Sequence, residues 1–142
     1  MTVGPLACVV DASVALKWLV EEEGSAAAAA LLDGRTLFAP ALIHVEVANA
    51  LWRMTRVGRL SDEEAADAQS LMDRAPLRRR IEDRALTAEA LRLARLLDHP
   101  VYDCLYLAVA MDVGAPVITA DVRFVGAAGR DAASAPLVVA LA

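Results

Sequence analysis

Residues 6–13 read LACVVDAS: a short apolar run, an aspartate, then two small residues. The run is continuous and β-branched toward its end, the pattern of a strand covered on both faces. A carboxylate directly behind such a strand is expensive to desolvate unless it is hydrogen-bonded, paired or bound to a cation. Asp11 therefore predicts both a buried strand and a polar site at its end. Similar segments recur outward from this one. Residues 36–38 (TLF) predict a short strand, 80–82 a brief one, and 116–119 (PVIT) a second buried strand closed by Asp121; PLVVALA at 136–142 predicts an edge strand. Helices are expected between them, over 13–22, over 25–33 with Ser25 as N-cap and Gly34 past the end, and from Pro40 to Gly58. Another is capped by Ser61, carries Asp62, Glu63 and Glu64 in its first turn and stops at Pro76; two more cover 87–97 and 102–113, the last ending at Gly114. Short apolar strands alternating with helices predict an α/β sandwich with a mostly parallel central sheet.

The 142 residues suffice for one full core and predict a single domain over 1–142. A hydrophobic share of 58% against 23% charged residues excludes a disordered chain. No basic segment precedes the apolar residues 6–10, and no apolar run approaches the ~18 residues needed to span a bilayer, so a soluble, cytoplasmic protein with no membrane partner is expected. Cys8 and Cys104 lie far apart among apolar neighbours and read as two buried thiols, with no disulfide framework.

Of nineteen acidic residues, most sit in polar turns or mixed-charge surfaces. Asp11, Glu46, Asp103, Asp112 and Asp121 do not; each is set among apolar residues. Asp11 and Asp121 directly follow strands, and in an open parallel sheet the ligand crevice lies beyond the strands' carboxyl ends where strand order reverses. Glu46 and Asp103 fall early in their helices and can face the same edge. Asp112 is an internal control: nine residues past Asp103, it falls on the opposite side of the helix, toward solvent. Four converging carboxylates repel one another unless a counter-charge is present. All-oxygen donors without a His or Cys cluster select Mg²⁺ or Mn²⁺ over zinc, and such ions serve phosphoryl chemistry. The bland alternative is that Asp11 and Asp121 only cap helices, while Glu46 and Asp103 pair with arginines.

VVDASVALKWL at 9–19, PALIHVEVANAL at 40–51, YDCLYLAVA at 102–110 and ITADVRF at 118–124 together resemble the signature blocks of PIN-domain ribonucleases, specifically the VapC-type toxins of toxin–antitoxin pairs. The resemblance spans nearly the whole chain in the expected order. It implies a PIN-like three-layer α/β sandwich and Mg²⁺- or Mn²⁺-dependent endoribonuclease activity, with the acidic quartet, catalytic and metal-holding, on Asp11, Glu46, Asp103 and Asp121. It places Ser13 as a supporting or water-holding hydroxyl and Asn49, one turn after Glu46, as a polar neighbour; Thr119 is a candidate for orienting Asp121. It also implies an RNA substrate, a cognate antitoxin that covers the site, and a homodimer, in keeping with a mean hydropathy of +0.45.

His44, two residues from Glu46, points to another helix face, and His99 sits in a turn beside Pro100, so neither is expected in acid–base work. Trp18 and Trp52 read as core or dimer contacts. A net charge of -5 disfavours a polyanion partner. Bound divalent ions would offset it locally, and Arg53, Arg56 and Arg59 with the run Arg74, Arg78, Arg79, Arg80 and Arg84 either flank the crevice or form a solvated charged face. Other classes fit poorly: a dehalogenase-like phosphatase wants an aspartate where Ser13 stands, a receiver domain wants a late lysine where Lys17 is the only one, and DASVALK lacks a nucleotide-binding glycine turn. The competing reading is a catalytically silent PIN-like RNA-binding or scaffold protein, which gains nothing from clustered carboxylates.

Overall fold

The structure, a computed structural model, describes residues 6–142; the first five residues of the expected 1–142 domain lie outside the described residues. In chain order the elements are β1 (Ala7–Val10), α1 (Ala12–Leu19), α2 (Ser25–Ala30), β2 (Thr36–Pro40), α3 (Ile43–Arg56) and α4 (Asp62–Asp73). There follow β3 (Leu77–Arg80), α5 (Arg84–Leu97), α6 (Val101–Val113), β4 (Val117–Thr119), α7 (Val122–Ala128) and, after one 3₁₀ turn, β5 (Val138–Ala140).

The strands form one sheet in the order β3-β2-β1-β4-β5. Every pairing is parallel, so the sheet is wholly rather than mostly parallel. The chain walks outward from β1 to β3, then returns to place β4 on the other side of β1. Right-handed crossovers consequently send α1–α4 to one face and α5–α7 to the other. The packing follows: α1 lies on α2 and α3, α3 on α4, and α5 on α6, while α6 rests on β1 and β2 and α7 on β4 and β5. Strand order reverses between β1 and β4. There the sheet's crevice opens, at the carboxyl ends of the strands that precede Asp11 and Asp121.

Sequence and packing agree on why β1 is central. Cys8, Val9 and Val10 are buried, as a strand paired on both edges and covered on both faces requires. Helix α6 is buried without a break from Cys104 to Ala110, and it is apolar on every side because it is enclosed between the sheet and α5. Cys8 and Cys104 are buried free thiols.

Several expected boundaries shift. Pro40 does not open α3; it ends β2, opposite Arg80, beyond the stretch where β2 pairs with β1, so its missing N–H leaves no gap in that central ladder. Ser25 is not the cap of α2 but its first residue. Gly24, at φ +88°, takes the cap position, and the Ser25 hydroxyl accepts from Glu22 N at 2.9 Å and donates to Val20 O, closing the turn that ends α1 at Leu19. The strand expected at 80–82 lies at Leu77–Arg80. Helix α5 starts at Arg84 rather than Thr87, because Asp83 caps it by accepting from Leu86 N at 2.8 Å. Ser61 caps α4 as expected, in a reciprocal capping box with Glu64. Trp18 packs against the core and donates to Ala28 O at 2.7 Å, whereas Trp52 is exposed, with the Arg56 guanidinium 5.2 Å from its ring centre.

Candidate active site

The site grows from the ends of β1 and β4. Asp11 terminates β1 and caps α1, with Oδ1 accepting from Val14 N at 3.2 Å and from Ser13 Oγ at 2.5 Å, while Oδ2 accepts from Thr119 Oγ1. Each hydroxyl also accepts: Ser13 Oγ from Ala120 N and Thr119 Oγ1 from Asp121 N, both at 3.0 Å. Two hydroxyls, each donor and acceptor at once, thus stitch the two strand ends across the reversal point. Thr119 holds the Asp11 carboxylate and the Asp121 backbone, and the Asp121 side chain caps α7 by accepting from Arg123 N at 2.9 Å.

Asp11 is only 5% exposed, and burial pushes its carboxyl up to about 6. The bonds from Ser13, Thr119 and Val14 pull the other way, and the charge of Asp103 adds to the rise. Glu46, in the first turn of α3, accepts from the Tyr106 hydroxyl at 2.7 Å across the top of the sheet. Burial again raises its carboxyl, opposed by that hydrogen bond and reinforced by Asp103. Tyr106 is buried, and desolvation together with the Glu46 charge keeps it a neutral donor.

Asp103, in the first turn of α6, is the electrostatic hub. Its charge acts on Asp11 and Glu46, and the charge of Asp121 acts on it. Burial raises Asp103 as well, and His99 opposes the rise. Asp103 thus lies within electrostatic reach of the other three acids. Asp112 is exposed at the far end of α6 and bonds Arg80 Nε at 3.0 Å, away from the cluster. Asn49 is exposed and lines, with Ala12, Leu42, Glu46, Arg53 and Tyr102, an open cleft of about 470 Å³.

One neighbour was missed. His99, set aside in reading the sequence, brings Nε2 to 2.7 Å from Asp103 Oδ2. The available signal was the spacing of four between His99 and Asp103, which carries one turn of contact across the start of α6. His44 stays apart, with Nδ1 3.9 Å from Asp73.

Among the described residues no lysine or arginine side chain pairs with any of the four acids. Nor do three His, Cys, Asp or Glu side chains there close into a ready-made metal cage. The arrangement is open. Glu46 Oε2, Asp103 Oδ1 and Asp121 Oδ2 accept no hydrogen bond among the described residues, so three acids each keep a free oxygen while the other is anchored. Hard carboxylate oxygens that no lysine or arginine neutralises fit a small divalent ion that takes one or two protein carboxylates and keeps several waters.

Comparison with known proteins gives the chain its family. Residues 8–129 match the PIN domain family. Ribonuclease VapC12 of Mycobacterium tuberculosis is 33% identical over 124 residues, covering 87% of this chain and 94% of that protein. Among solved structures, VapC20 of Mycobacterium tuberculosis, described as a sarcin–ricin-loop-cleaving toxin, superposes with a TM-score of 0.68 at 17% identity, over 84% of this chain and 94% of that one. PAE2754 from Pyrobaculum aerophilum does so with a TM-score of 0.64 at 22% identity, over 87% and 80%. The chain belongs to the PIN-domain family and, within it, to the VapC-type members.

Proposed function

We propose that this chain is a Mg²⁺- or Mn²⁺-dependent endoribonuclease that serves as the toxin of a toxin–antitoxin pair. The observation that carries the reading is that Glu46, Asp103 and Asp121 each keep one carboxylate oxygen free of hydrogen bonds among the described residues, with no lysine or arginine paired to them and only His99 beside Asp103. A scaffold would be burdened by such a cluster. Asp11, Asp103 and Asp121 are assigned to hold the cation, directly or through water, and Glu46 to hold it or to orient the attacking water. The ion would supply an activated water and charge neutralisation at the phosphate. The protein's own part is positional. Ser13 and Thr119 fix the Asp11 carboxylate, Tyr106 fixes one oxygen of Glu46, and the Asp121 cap fixes the start of α7. In hydrolysis the water oxygen bonds to phosphorus, the P–O bond to the leaving nucleotide breaks, and the leaving oxygen takes up a proton.

Arg53 on the cleft rim is placed to meet a phosphate of the flanking RNA. Arg80 is committed to Asp83 and Asp112, so the basic run contributes less to RNA binding than its sequence suggests. An antitoxin and a second copy of the chain are the proposed protein partners. Val45, Val101 and Tyr102 support this, since they stand exposed around an apolar groove of about 520 Å³ beside the cleft. A cytoplasmic location is part of the same reading; no helix among the described residues is long and apolar enough to cross a membrane.

The test is digestion of RNA by the purified chain with Mn²⁺ or Mg²⁺, set beside Asp11→Asn. Cleavage that stops with the substitution and with EDTA supports the proposal; cleavage that ignores both rejects it. Growth arrest on expression, relieved by the product of an adjacent small reading frame, tests the toxin assignment separately.

A further inference from the structure

The turn between α5 and α6 carries a side chain that the acidic quartet leaves unexplained. Asp98 closes α5 in the left-handed conformation at φ +51°, His99 N donates to Ala94 O at 3.1 Å, and Pro100 then opens α6. This sharp reversal folds the His99 side chain back over the first turn of α6. Its Nε2 lies 2.7 Å from Asp103 Oδ2, and its ring stacks on Phe124 with centroids 5.5 Å apart and planes 6° from parallel. The imidazole is 11% exposed, and Phe124 is fully buried three residues after Asp121. A single ring therefore touches the helix that carries Asp103 and the helix that Asp121 caps.

We infer that His99 is a positioning residue: it clamps Asp103 Oδ2 through Nε2 and, through its stack on Phe124, sets the start of α6 against α7, so that Asp103 Oδ1 is the oxygen left for a cation. The inference rests on the proposed reading of Asp103 as a metal ligand. Three observations carry it. The contact has the length and spacing of an orienting hydrogen bond to a carboxylate. The ring has little freedom, since Phe124 covers one face and the backbone of His99 is tied at both ends, Cys104 Sγ lying 3.7 Å from its carbonyl. And Asp103 lies within electrostatic reach of Asp11, Glu46 and Asp121, so the rotamer that His99 holds sets where its free oxygen stands relative to them. Partners that orient a ligating carboxylate typically alter metal affinity by about 10–100-fold when removed.

The experiment measures Mn²⁺ binding by calorimetry, and separately kcat and KM for RNA, on the full chain and on His99→Leu, His99→Gln, His99→Asn and Asp103→Asn. His99→Leu keeps bulk on Phe124 but removes the donor; its Mn²⁺ affinity is expected to fall about 10-fold or more, and kcat to fall with KM little changed. His99→Gln, whose amide nitrogen reaches as far as Nε2, is expected to restore most of both, and His99→Asn, one bond shorter, is not. Wild-type Mn²⁺ affinity in a folded His99→Leu overturns the inference, as does equal affinity in His99→Gln and His99→Asn; the latter pair decides the matter if His99→Leu fails to fold. Asp103→Asn separates the two levels. If it binds Mn²⁺ like the wild type, the metal-ligand reading fails and the inference with it. If it loses binding while His99→Leu does not, only the role of His99 fails.

Discussion

The hydroxyl of Thr119 donates to Asp11 Oδ2 and accepts from the backbone N–H of Asp121, so one buried side chain spans the point where strand order reverses. The two acids best placed at the crevice are thereby held by a residue that is itself uncharged. Thr119→Val keeps the shape and removes both bonds. It leaves a buried carboxylate one donor short, which costs about 1–3 kcal/mol. Urea denaturation at pH 7 should show that loss, Thr119→Ser should recover most of it, and RNA cleavage should fall with Val and return with Ser.

The raised carboxyls predict how the metal-free chain responds to pH. Asp11 moves from 3.8 in the unfolded chain to about 6 in the fold, so between those values the folded state binds more protons than the unfolded one. Stability is then highest below pH 3.8 as far as Asp11 is concerned and is lost as pH rises through about 6, by at most about 3 kcal/mol. Glu46 and Asp103 act in the same direction. Thermal melts in EDTA should show this component as a falling Tm between pH 4 and 6.5. Mn²⁺ should raise Tm at pH 7.5 and leave it unchanged at pH 4.5, because the ion competes with the protons.

Removing the charge should stabilise the metal-free protein. Asp11→Asn abolishes the charge desolvation penalty and the repulsion from Asp103, a gain partly offset because its amide nitrogen cannot accept a hydrogen bond as the carboxylate oxygen did, and at pH 7 in EDTA it should be more stable than the wild type by less than about 3 kcal/mol while inactive on RNA. A less stable Asp11→Asn under those conditions would mean that the buried carboxylate is already compensated within the fold.

Ser61→Ala separates stability from activity. It removes one half of the capping box of α4, far from the acids, and should cost about 1 kcal/mol in urea with no change in RNA cleavage.

The features legible in the sequence are those set by local rules. VVDAS announced a buried strand with a carboxylate at its mouth, and helical periodicity alone separated Asp103 from Asp112, which indeed pairs with Arg80. Gly114 and Ser61 marked helix ends because a left-handed cap and a capping box depend on neighbouring residues. Misreadings arose where tertiary context decides. Pro40 looks like a helix opener but sits where β2 has run past β1, and three consecutive arginines in β3 hide a strand whose only apolar residue is Leu77. The double role of Thr119 joins residues 108 apart and has no sequence period to betray it. His99 was passed over because the proline beside it suggested a free turn, whereas that turn is what carries its ring back onto Asp103 and Phe124.

Asp103 and Asp112 occupy one helix, the first facing the acidic cluster and the second bonded to Arg80 on the far side. RNA cleavage by the full chain in Mn²⁺ is the measurement that bears on the cluster most directly, comparing Asp103→Asn with Asp112→Asn. A fall of about 100-fold or more in the first, near wild-type rates in the second and no cleavage in EDTA are predicted. Equal rates in both variants, or cleavage that persists without divalent ions, would contradict the account.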